Sequence, residues 1–439
     1  VIDDLHDREL LFKQQKHTHS YPFCYRCDSP LIYKAQESWF VNIQEIKDQL
    51  LENNKKINWV PDYFKEGRFK NSIESAPDWC ISRTRYWATA MPVWICDKCN
   101  EIEVFGSIKD IENRSSMKVD DLHRPAIDNV SFGCKKCNGK MVRVKEVLDC
   151  WMESGSMPYA ERHYPFENKE DFEKAFPADF ISEYTGQVRA WFYVLHSLST
   201  ALFGSESFKN VIVSGVMAGD DGRKMSKSFK NYPDPKGLIE EYGGDALRYV
   251  LMGSPIMLAE DTDAGILEPG AIEMTKKVLI PLLNSVRFLS IYSEMYNWEV
   301  SEYLGSENIL DKWIVERTKK LVMDMTDSLD SYITPKAVKL IAPYLEDLSA
   351  WYIRNSRNRF SNGDFSAMIT LRYVLLEAVK TMAPLIPFIT EEVFQVLKTE
   401  KNADSVHLEL WSDVKDYDES ILDQMSYARK IVALGQSAR

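Results

Sequence analysis

The pattern of apolar and polar positions divides the chain into an α/β part and a helical part. Ile43, Ile46 and Leu50 recur at helical spacing, which predicts an early helix. Short apolar runs alternate with loops from 147 to 232, as they do in α/β units. After Pro235, apolar residues return every three or four positions almost to the end of the chain. The predicted fold is therefore an α/β half followed by an all-α half.

A lysine-rich loop lies at the end of the α/β part. The β-type run N-V-I-V-S ends at residue 214, and D-D-G-R-K-M-S-K-S-F-K-N-Y occupies 220–232, with Lys224 and Lys227 inside it. Glycines allow a close approach to a ligand, and lysine ammonium groups suit a polyphosphate. A solvated basic turn is the alternative interpretation. The strand before the loop and the prolines after it favour a nucleotide site at the carboxyl end of a parallel sheet.

Composition limits the class of protein. The chain has 439 residues, of which 45% are hydrophobic and 27% are charged, and this length predicts about two to four domains. No apolar run reaches the roughly 20 residues of a membrane span. The first residues form no signal peptide and include no initiator methionine, so we expect the chain to begin within a longer protein. A net charge of −12 argues against indiscriminate polyanion binding.

Six of the eight cysteines occur in C-x-x-C pairs, and this spacing points to metal ligands. Without a secretory signal, such pairs are typical of thiolate sites that hold Zn²⁺ tetrahedrally. We predict a structural zinc site formed by Cys96, Cys99, Cys134 and Cys137, with redox or free thiols as the alternative. Cys24 and Cys27 look like half of another site, either a zinc half-site or free thiols.

Several motifs resemble the class I isoleucyl-tRNA synthetases. The K-M-S-K-S loop is similar to the signature loop of class I synthetases, and V-L-D-C-W-M-E-S-G-S-M-P-Y-A at 147–160 resembles a block of the isoleucine enzymes. P-A-D-F-I-S-E at 177–183, Q-V-R-A-W-F at 187–192 and W-Y-I-R-N-S-R-N-R-F at 351–360 are also similar to family segments. The matches run in order from about residue 15 to about residue 400.

The resemblance implies a domain order and a cellular setting. It implies a catalytic Rossmann-type half with a zinc insert, then a helical anticodon-binding domain, in a cytoplasmic enzyme that is a monomer in its parent protein and has no membrane partner. The expected segments are 1–40 (tail of an editing insertion), 41–95 (connective and core segment), 96–145 (zinc insert), 146–235 (catalytic half), 236–300 (stem-contact helices) and 301–439 (anticodon-binding domain).

The resemblance also implies a reaction and roles for single residues. Isoleucine would be activated by ATP, with Mg²⁺, and then transferred to tRNA(Ile). Lys227 would stabilise the transition state, and Lys224 would close the loop. Glu183 and Gln187 match positions that hold the ammonium and ribose groups of the adenylate, and Gly215 is expected to lie at the adenylate too. Trp151 and Trp191 match the aromatic walls around the isoleucine side chain.

The predicted anticodon helix combines arginines with aromatic residues. Trp351, Arg354, Arg357 and Arg359 occur on one stretch with no acidic residue from 351 through 362. Arginine planes and aromatic rings stack on unpaired bases. In the alternative interpretation, the aromatics belong to the core and the arginines pair with acids such as Glu346 or Asp347.

The chain departs from the family pattern in ways that limit the prediction. Gly186-Gln187 replaces the usual Asp-Gln, and no H-I-G-H motif occurs. The first half of the nucleotide fold and nearly all of the editing domain are missing, so we expect a fragment that is inactive alone. Two alternatives stay open: a non-catalytic tRNA-binding module derived from a synthetase, and a valine- or leucine-specific relative.

Overall fold

The computed structural model divides the chain into two compact units. It describes residues 1–24, 27–219, 221–226, 229–260, 262–263, 267 and 269–438. The first unit comprises Val1–Val41 and Cys80–Asp149, and the second comprises Asn42–Trp79 and Cys150–Arg439.

The first unit is built around a four-stranded antiparallel sheet. Its strands lie in the order Ile102–Val104, Val93–Cys96, Lys140–Arg143 and Ser131–Gly133. Trp94 is fully buried and packs with Phe132 and Met141 on one side of this sheet. The remaining described elements of the unit are the helix Ile2–Asp7, the helix Ile108–Ser115, the 3₁₀ turn Ile127–Asn129, the strand Phe40–Val41 and the antiparallel pair Ser82–Arg83 with Val147–Leu148.

The α/β part of the second unit contains a three-stranded parallel sheet. Its strand order is Ile181–Tyr184, Asn210–Ser214 and Asn58–Val60. The central strand carries the run Val-Ile-Val, which is buried, as expected for a strand covered on both faces. The helix Trp191–Phe203 connects two of these strands and is buried along most of its length. It ends at Gly204, whose φ of +68° favours glycine.

The α/β part of the second unit also contains several short elements. The early helix is Ile43–Lys56, and it packs against the connecting helix Trp191–Phe203. The others are the π-helical turn Lys65–Phe69, the helices Lys70–Glu74, Cys150–Gly155, Met157–Ala160 and Lys169–Ala175, the 3₁₀ turn Thr185–Arg189, and the short strands Met217–Ala218 and Thr262–Asp263. The strand Trp79–Cys80 contains the residue at which the chain passes from the second unit to the first.

The rest of the second unit is helical and shares one large hydrophobic core. Asn308, Asp364 and Asp418 cap three of the helices with their side chains, which satisfies free N–H groups at the helix starts. The helices are Pro235–Tyr242, Gly244–Met252, Pro269–Met295, Ile309–Asp330, Thr334–Lys339, Ile341–Glu346, Arg354–Ser361, Phe365–Met382, Pro387–Leu397 and Glu419–Ser437, with a π-helical segment Asp347–Ile353 and 3₁₀ turns Pro255–Leu258 and Val406–Leu408.

The architecture confirms the predicted α/β half followed by an all-α half. The early helix and the β-type run before the lysine loop form as expected. The predicted insert, 96–145, falls inside the first unit, whose second segment begins earlier, at Cys80. In the described part of the chain, no helix is both long and apolar enough to span a membrane.

Candidate functional site

Glu183 and Gln187 both lie at the carboxyl edge of the parallel sheet, one in a strand and the other in the turn that follows it. Glu183 lies at the end of its strand, is exposed, and accepts a hydrogen bond from the backbone N–H of Tyr184 at 3.0 Å. Gln187 lies in the 3₁₀ turn that follows. Its Oε1 accepts from the backbone N–H of Trp191 at 3.1 Å, so the side chain caps the connecting helix. Both side chains therefore stand where ligands of parallel sheets bind.

Gly215 follows the central strand and allows a close backbone approach. A Cβ at this position would lie 2.3 Å from the carbonyl oxygen of Glu260. The Gly215 N–H donates to the carbonyl of Ile256 at 2.7 Å. The chain after Ser254 therefore packs directly on this residue, and any side chain would displace it. This packing gives Gly215 a structural reason to be glycine that the sequence did not indicate.

The described residues of the lysine loop form a narrow hairpin with the residues before them. The N–H of Gly219 donates to the carbonyl of Arg223, and the N–H of Met225 donates to the carbonyl of Met217. Asn231 holds the hairpin together, because its side chain accepts from the N–H of Ser226 and donates to the carboxylate of Asp221 and to the carbonyl of Arg223. The predicted catalytic Lys227 lies outside the described residues.

Lys224 lies against the neighbouring strand end. Its Nζ is 4.1 Å from the ring centroid of Tyr184, a cation–π distance. Tyr184 directly follows Glu183, so the described end of the lysine loop reaches the edge that carries the two predicted adenylate residues. Sequence reasoning missed Tyr184 and Asn231. Only the position of Asn231, directly after the lysines, offered a signal.

Trp151 and Trp191 lie on two helices that pack on each other. The indole N–H of Trp191 donates to the carbonyl of Ser154 at 3.1 Å. Gly155 permits this packing, since a Cβ there would lie 2.8 Å from Leu198 Cδ1. Trp191 is half-buried, whereas Trp151 is 37% exposed. The structure thus brings the two helices together and leaves Trp151 partly exposed to solvent.

The four cysteines of the predicted zinc site converge at one end of the antiparallel sheet. Their sulfur atoms all lie within 4.8 Å of one another, with Cys96 and Cys137 at 3.5 Å and Cys99 and Cys134 at 3.7 Å. A tetrahedral zinc with bonds of about 2.3 Å needs sulfur–sulfur separations of about 3.8 Å. The cluster therefore has the size and the donor set of a Cys₄ site.

Backbone groups support this cluster. The N–H groups of Lys98, Lys136 and Gly139 donate to the sulfurs of Cys96, Cys134 and Cys137 at 3.5, 3.3 and 3.3 Å. Such bonds favour thiolates. A Cβ on Gly139 would lie 2.5 Å from the Cys96 sulfur and 3.1 Å from the Cys137 sulfur. The tight turn therefore requires glycine at 139.

The electrostatics of the cluster also favour a bound cation. Backbone N–H groups of Cys99 and Lys98 lower the pKa of Cys96 to about 7. The backbone N–H of Glu101 lowers the pKa of Cys99, but the thiols of Cys137 and Cys96 raise it by more, to about 12. Because the neighbouring thiols oppose ionisation of Cys99, a positive ion among the sulfurs would favour its thiolate form.

The Cys24 and Cys27 pair stands apart from this cluster. The Cys27 thiol bonds the Ser29 hydroxyl at 3.4 Å, and that contact lowers the pKa of Cys27. Within the described ranges, a group of three or more ligand-type side chains at metal-binding distance occurs only at the four later cysteines. The described residues therefore supply two thiols here and no complete ligand set.

The arginines of the predicted anticodon helix divide into two kinds. Arg359 faces inward, where Nη1 and Nη2 donate to the two carboxylate oxygens of Asp311 at 2.6 and 2.8 Å, and Nε donates to Asp364 at 2.8 Å. Asp311 is fully buried. This position favours a structural role for Arg359 over the predicted RNA contact. Arg354 and Arg357 are exposed and make no ion pair with any residue in the described ranges.

Trp351 is held by the last helix. Its indole N–H donates to the Met425 sulfur at 3.1 Å, and the Arg429 guanidinium lies 5.2 Å from its ring centroid. Asp347 pairs with Arg317 and Arg429, and not with the arginines of the predicted anticodon helix as the alternative interpretation expected. A groove of about 730 Å³ beside these residues is lined by Trp351, Arg354 and Lys430, among others.

Comparison with protein families and curated proteins identifies relatives of both halves. A family model described as tRNA synthetases class I (I, L, M and V) matches residues 4–263, and one described as the anticodon-binding domain of tRNA ligase matches residues 311–439. An isoleucine–tRNA ligase of Treponema denticola is 45% identical, covering 100% of this chain and 42% of the relative. Isoleucine–tRNA ligase 2 of Pseudomonas fluorescens is 41% identical, covering 100% of this chain and 43% of the relative. The chain thus spans less than half the length of these relatives.

Solved structures share the fold. A methionyl-tRNA synthetase of Mycobacterium tuberculosis, solved in complex with methionyl-adenylate, superposes with a TM-score of 0.61 at 17% identity, covering 85% of this chain and 65% of the other. A LeuRS of Agrobacterium radiobacter K84 superposes with a TM-score of 0.56 at 18% identity, covering 77% of this chain and 42% of the other.

Proposed function

The chain belongs to the class I tRNA synthetases (I, L, M and V), and from this premise we propose that it forms part of an isoleucine–tRNA ligase. The enzyme would activate isoleucine with ATP and transfer it to tRNA(Ile). The observation that carries the proposal is the position of the lysine loop, with Lys224 over Tyr184 beside Glu183 at the carboxyl edge of the parallel sheet. The relatives named isoleucine–tRNA ligase support the choice of amino acid.

The residues at this edge have chemistry suited to adenylate formation. The Glu183 carboxylate would bind the ammonium group of the amino acid, and the free amide end of Gln187 would bind ribose hydroxyls while its oxygen caps the helix. Gly215, whose side-chain space is filled by the Glu260 backbone, would border the nucleotide at the end of the central strand. Lys224 and Lys227 would neutralise the charge that moves to pyrophosphate as it leaves. Mg²⁺, bound with ATP, would share that neutralisation.

The aromatic pair would form part of the amino-acid pocket. Trp191 is fixed by its bond to Ser154, so it offers a rigid wall. Trp151, on the adjacent helix, is partly exposed and would pack against the aliphatic side chain of the substrate. Burial of such a side chain against two rings provides the hydrophobic selectivity that a branched aliphatic substrate requires.

The cysteine cluster would hold a structural zinc ion. Four thiolates fill the tetrahedral shell and leave no open position for catalysis. Bound zinc would tie the two C-x-x-C turns together and stabilise the antiparallel sheet. The role of Cys24 and Cys27 as a zinc half-site stays a prediction.

The helical half would bind the anticodon arm of tRNA(Ile). Arg354 and Arg357 are exposed and carry charge free to meet phosphate. We expect Trp351 to contact the tRNA with one edge of its ring, because the Arg429 guanidinium covers one face of that ring. We further propose that the protein acts in the cytoplasm, as a monomer, and that this segment alone does not activate isoleucine.

Isoleucine-dependent exchange between ATP and pyrophosphate tests the proposed function. The assay uses the protein encoded by the complete gene, called here the full encoded protein, and compares isoleucine, valine and leucine as substrates. We expect the largest kcat/KM for isoleucine. A preference for valine or leucine would assign a relative of different specificity. Binding of tRNA without exchange for any of the three would assign a non-catalytic tRNA-binding module.

A further inference from the structure

The ring of Tyr184 occupies the space next to Gly186. A Cβ placed on Gly186 would lie 2.4 Å from Cε2 and Cζ of Tyr184 and 2.5 Å from its hydroxyl oxygen. Cβ atoms essentially never come this close to a ring. The conformation of Tyr184 therefore depends on glycine two residues later, and a residue with a side chain at 186 would push the ring away.

The turn that carries Gly186 is itself anchored. Thr185 accepts a hydrogen bond from Nη1 of Arg68 at 2.7 Å, and Gln187 caps the helix that follows. Tyr184 is the last residue of a strand whose partner is the central strand. The backbone on both sides of Tyr184 is thus anchored, by the strand and by the turn, and the half-buried ring contacts Lys224.

The other partner in this contact, Lys224, belongs to a braced hairpin. Lys224 forms a bridge with Ala218 across the hairpin, and the carbonyls of Arg223 and Lys224 accept from Asn231. Its side chain is exposed except on the side of the Tyr184 ring. Among the described residues, the only aromatic ring close to the Lys224 ammonium is therefore that of Tyr184, and Gly186 leaves room for this ring.

We propose that Tyr184 is a positioning residue for Lys224, and that Gly186 makes this role possible by leaving room for the ring. The ring attracts the ammonium without neutralising it, whereas a carboxylate would form an ion pair that competes with phosphate. Lys224 is therefore held at the edge beside Glu183 while its charge stays available to a polyphosphate. This role rests on the proposed function of the lysine loop in ATP binding.

Two variants separate the ring from the rest of the side chain. Tyr184→Phe keeps the ring and removes the hydroxyl, and Tyr184→Leu keeps an apolar group and removes the ring. Gly186→Ala should displace the ring by the clash described above. Gly67→Ala is its matched control, because a Cβ at Gly67 meets no atom within 4 Å.

The first readout is the rate at which acetic anhydride labels Lys224, measured by mass spectrometry against Lys236 in the same sample. In the full encoded protein without ATP, we expect labelling of Lys224 to rise about two- to fivefold in Tyr184→Leu and Gly186→Ala. Tyr184→Phe and Gly67→Ala should match the unaltered protein. Equal labelling in all five proteins would overturn the proposal.

The second readout is the ATP dependence of isoleucine-dependent exchange. In Tyr184→Leu, loss of positioning should raise the KM for ATP about two- to fivefold and change kcat less. In Tyr184→Phe, the KM for ATP should equal that of the unaltered protein. A Phe variant as impaired as the Leu variant would overturn the role of the ring. If the unaltered protein shows no exchange, the proposed function fails, while the labelling result still decides whether Tyr184 holds Lys224.

Discussion

At the scale of single residues, glycines carry much of the information about the candidate sites. Gly139 lies among the cysteine sulfurs, Gly215 lies against the backbone of Glu260, and Gly186 lies under the Tyr184 ring. In each case, the constraint is the absence of a Cβ and not a positive φ. A sequence shows that a glycine is present but not what fills the space beside it.

Gly139→Ala should reduce the zinc content of the cysteine cluster. The added Cβ would lie 2.5 Å from the Cys96 sulfur, so the turn must open and the sulfurs must separate. Gly133→Ala is the matched control, since a Cβ there meets no atom within 4 Å. We expect close to one zinc per chain in the control and a clear loss in Gly139→Ala, measured by elemental analysis after dialysis. Equal zinc in both would contradict the assigned geometry.

Lys227→Ala should lower adenylate formation by orders of magnitude. The prediction comes from the resemblance of the loop to the class I signature, since Lys227 lies outside the described residues. Removal of one preorganised charge at a transition state costs about 10²- to 10³-fold. The measurement is isoleucine-dependent exchange in the full encoded protein, with Lys236→Ala as the control. A loss under threefold would reject the catalytic role.

At the scale of the elements, buried ion pairs fix the helices of the second half. Asp311 lies near the start of the helix Ile309–Asp330, and it accepts hydrogen bonds from Arg359 and from the Tyr352 hydroxyl. The carboxylate thus ties two distant helical segments together. Hydrogen bonds to Asp311 raise the pKa of Arg359 above its usual value, so the guanidinium stays charged at any physiological pH.

Asp311→Ala should strongly destabilise the helical half. The change leaves the half-buried Arg359 guanidinium without its main partner, and breaking a buried pair lowers the free energy of unfolding by about 3–5 kcal/mol. Asp413→Ala removes an ion pair whose two side chains are 76% and 80% exposed, and we expect little change from it. Urea-induced unfolding followed by circular dichroism compares the two. Similar midpoints would show that the Asp311 pair is dispensable.

At the scale of the whole molecule, substitution of an exposed arginine tests the proposed contact with tRNA. Arg357→Ala should weaken tRNA(Ile) binding at least about fivefold, because one stacking or phosphate contact is lost. If the contact is to phosphate, the slope of the logarithm of the binding constant against the logarithm of the salt concentration should fall in magnitude by about one. Filter binding at several salt concentrations measures both quantities in the full encoded protein. Lys401→Ala, an exposed and paired lysine, should bind as the unaltered protein does, and an equal loss in both variants would assign the effect to net charge.

The sequence by itself determined the order of the two halves, the central strand before the lysine loop and the four cysteines of the cluster. Each of these is a local property: apolar periodicity selects helix or strand, and C-x-x-C spacing places two thiolates in one turn. The family resemblance also came from short contiguous motifs, and the family model and the relatives agree with it.

Only the tertiary structure decided which residues meet across the chain. Arg359 reads like Arg354 and Arg357 in the sequence, yet it faces Asp311, 48 positions away. Tyr184 holds no motif position, yet its ring lies under Lys224 because a parallel strand and a hairpin end at the same edge. Such contacts depend on the distances between elements in the folded chain, and the local sequence pattern does not specify those distances.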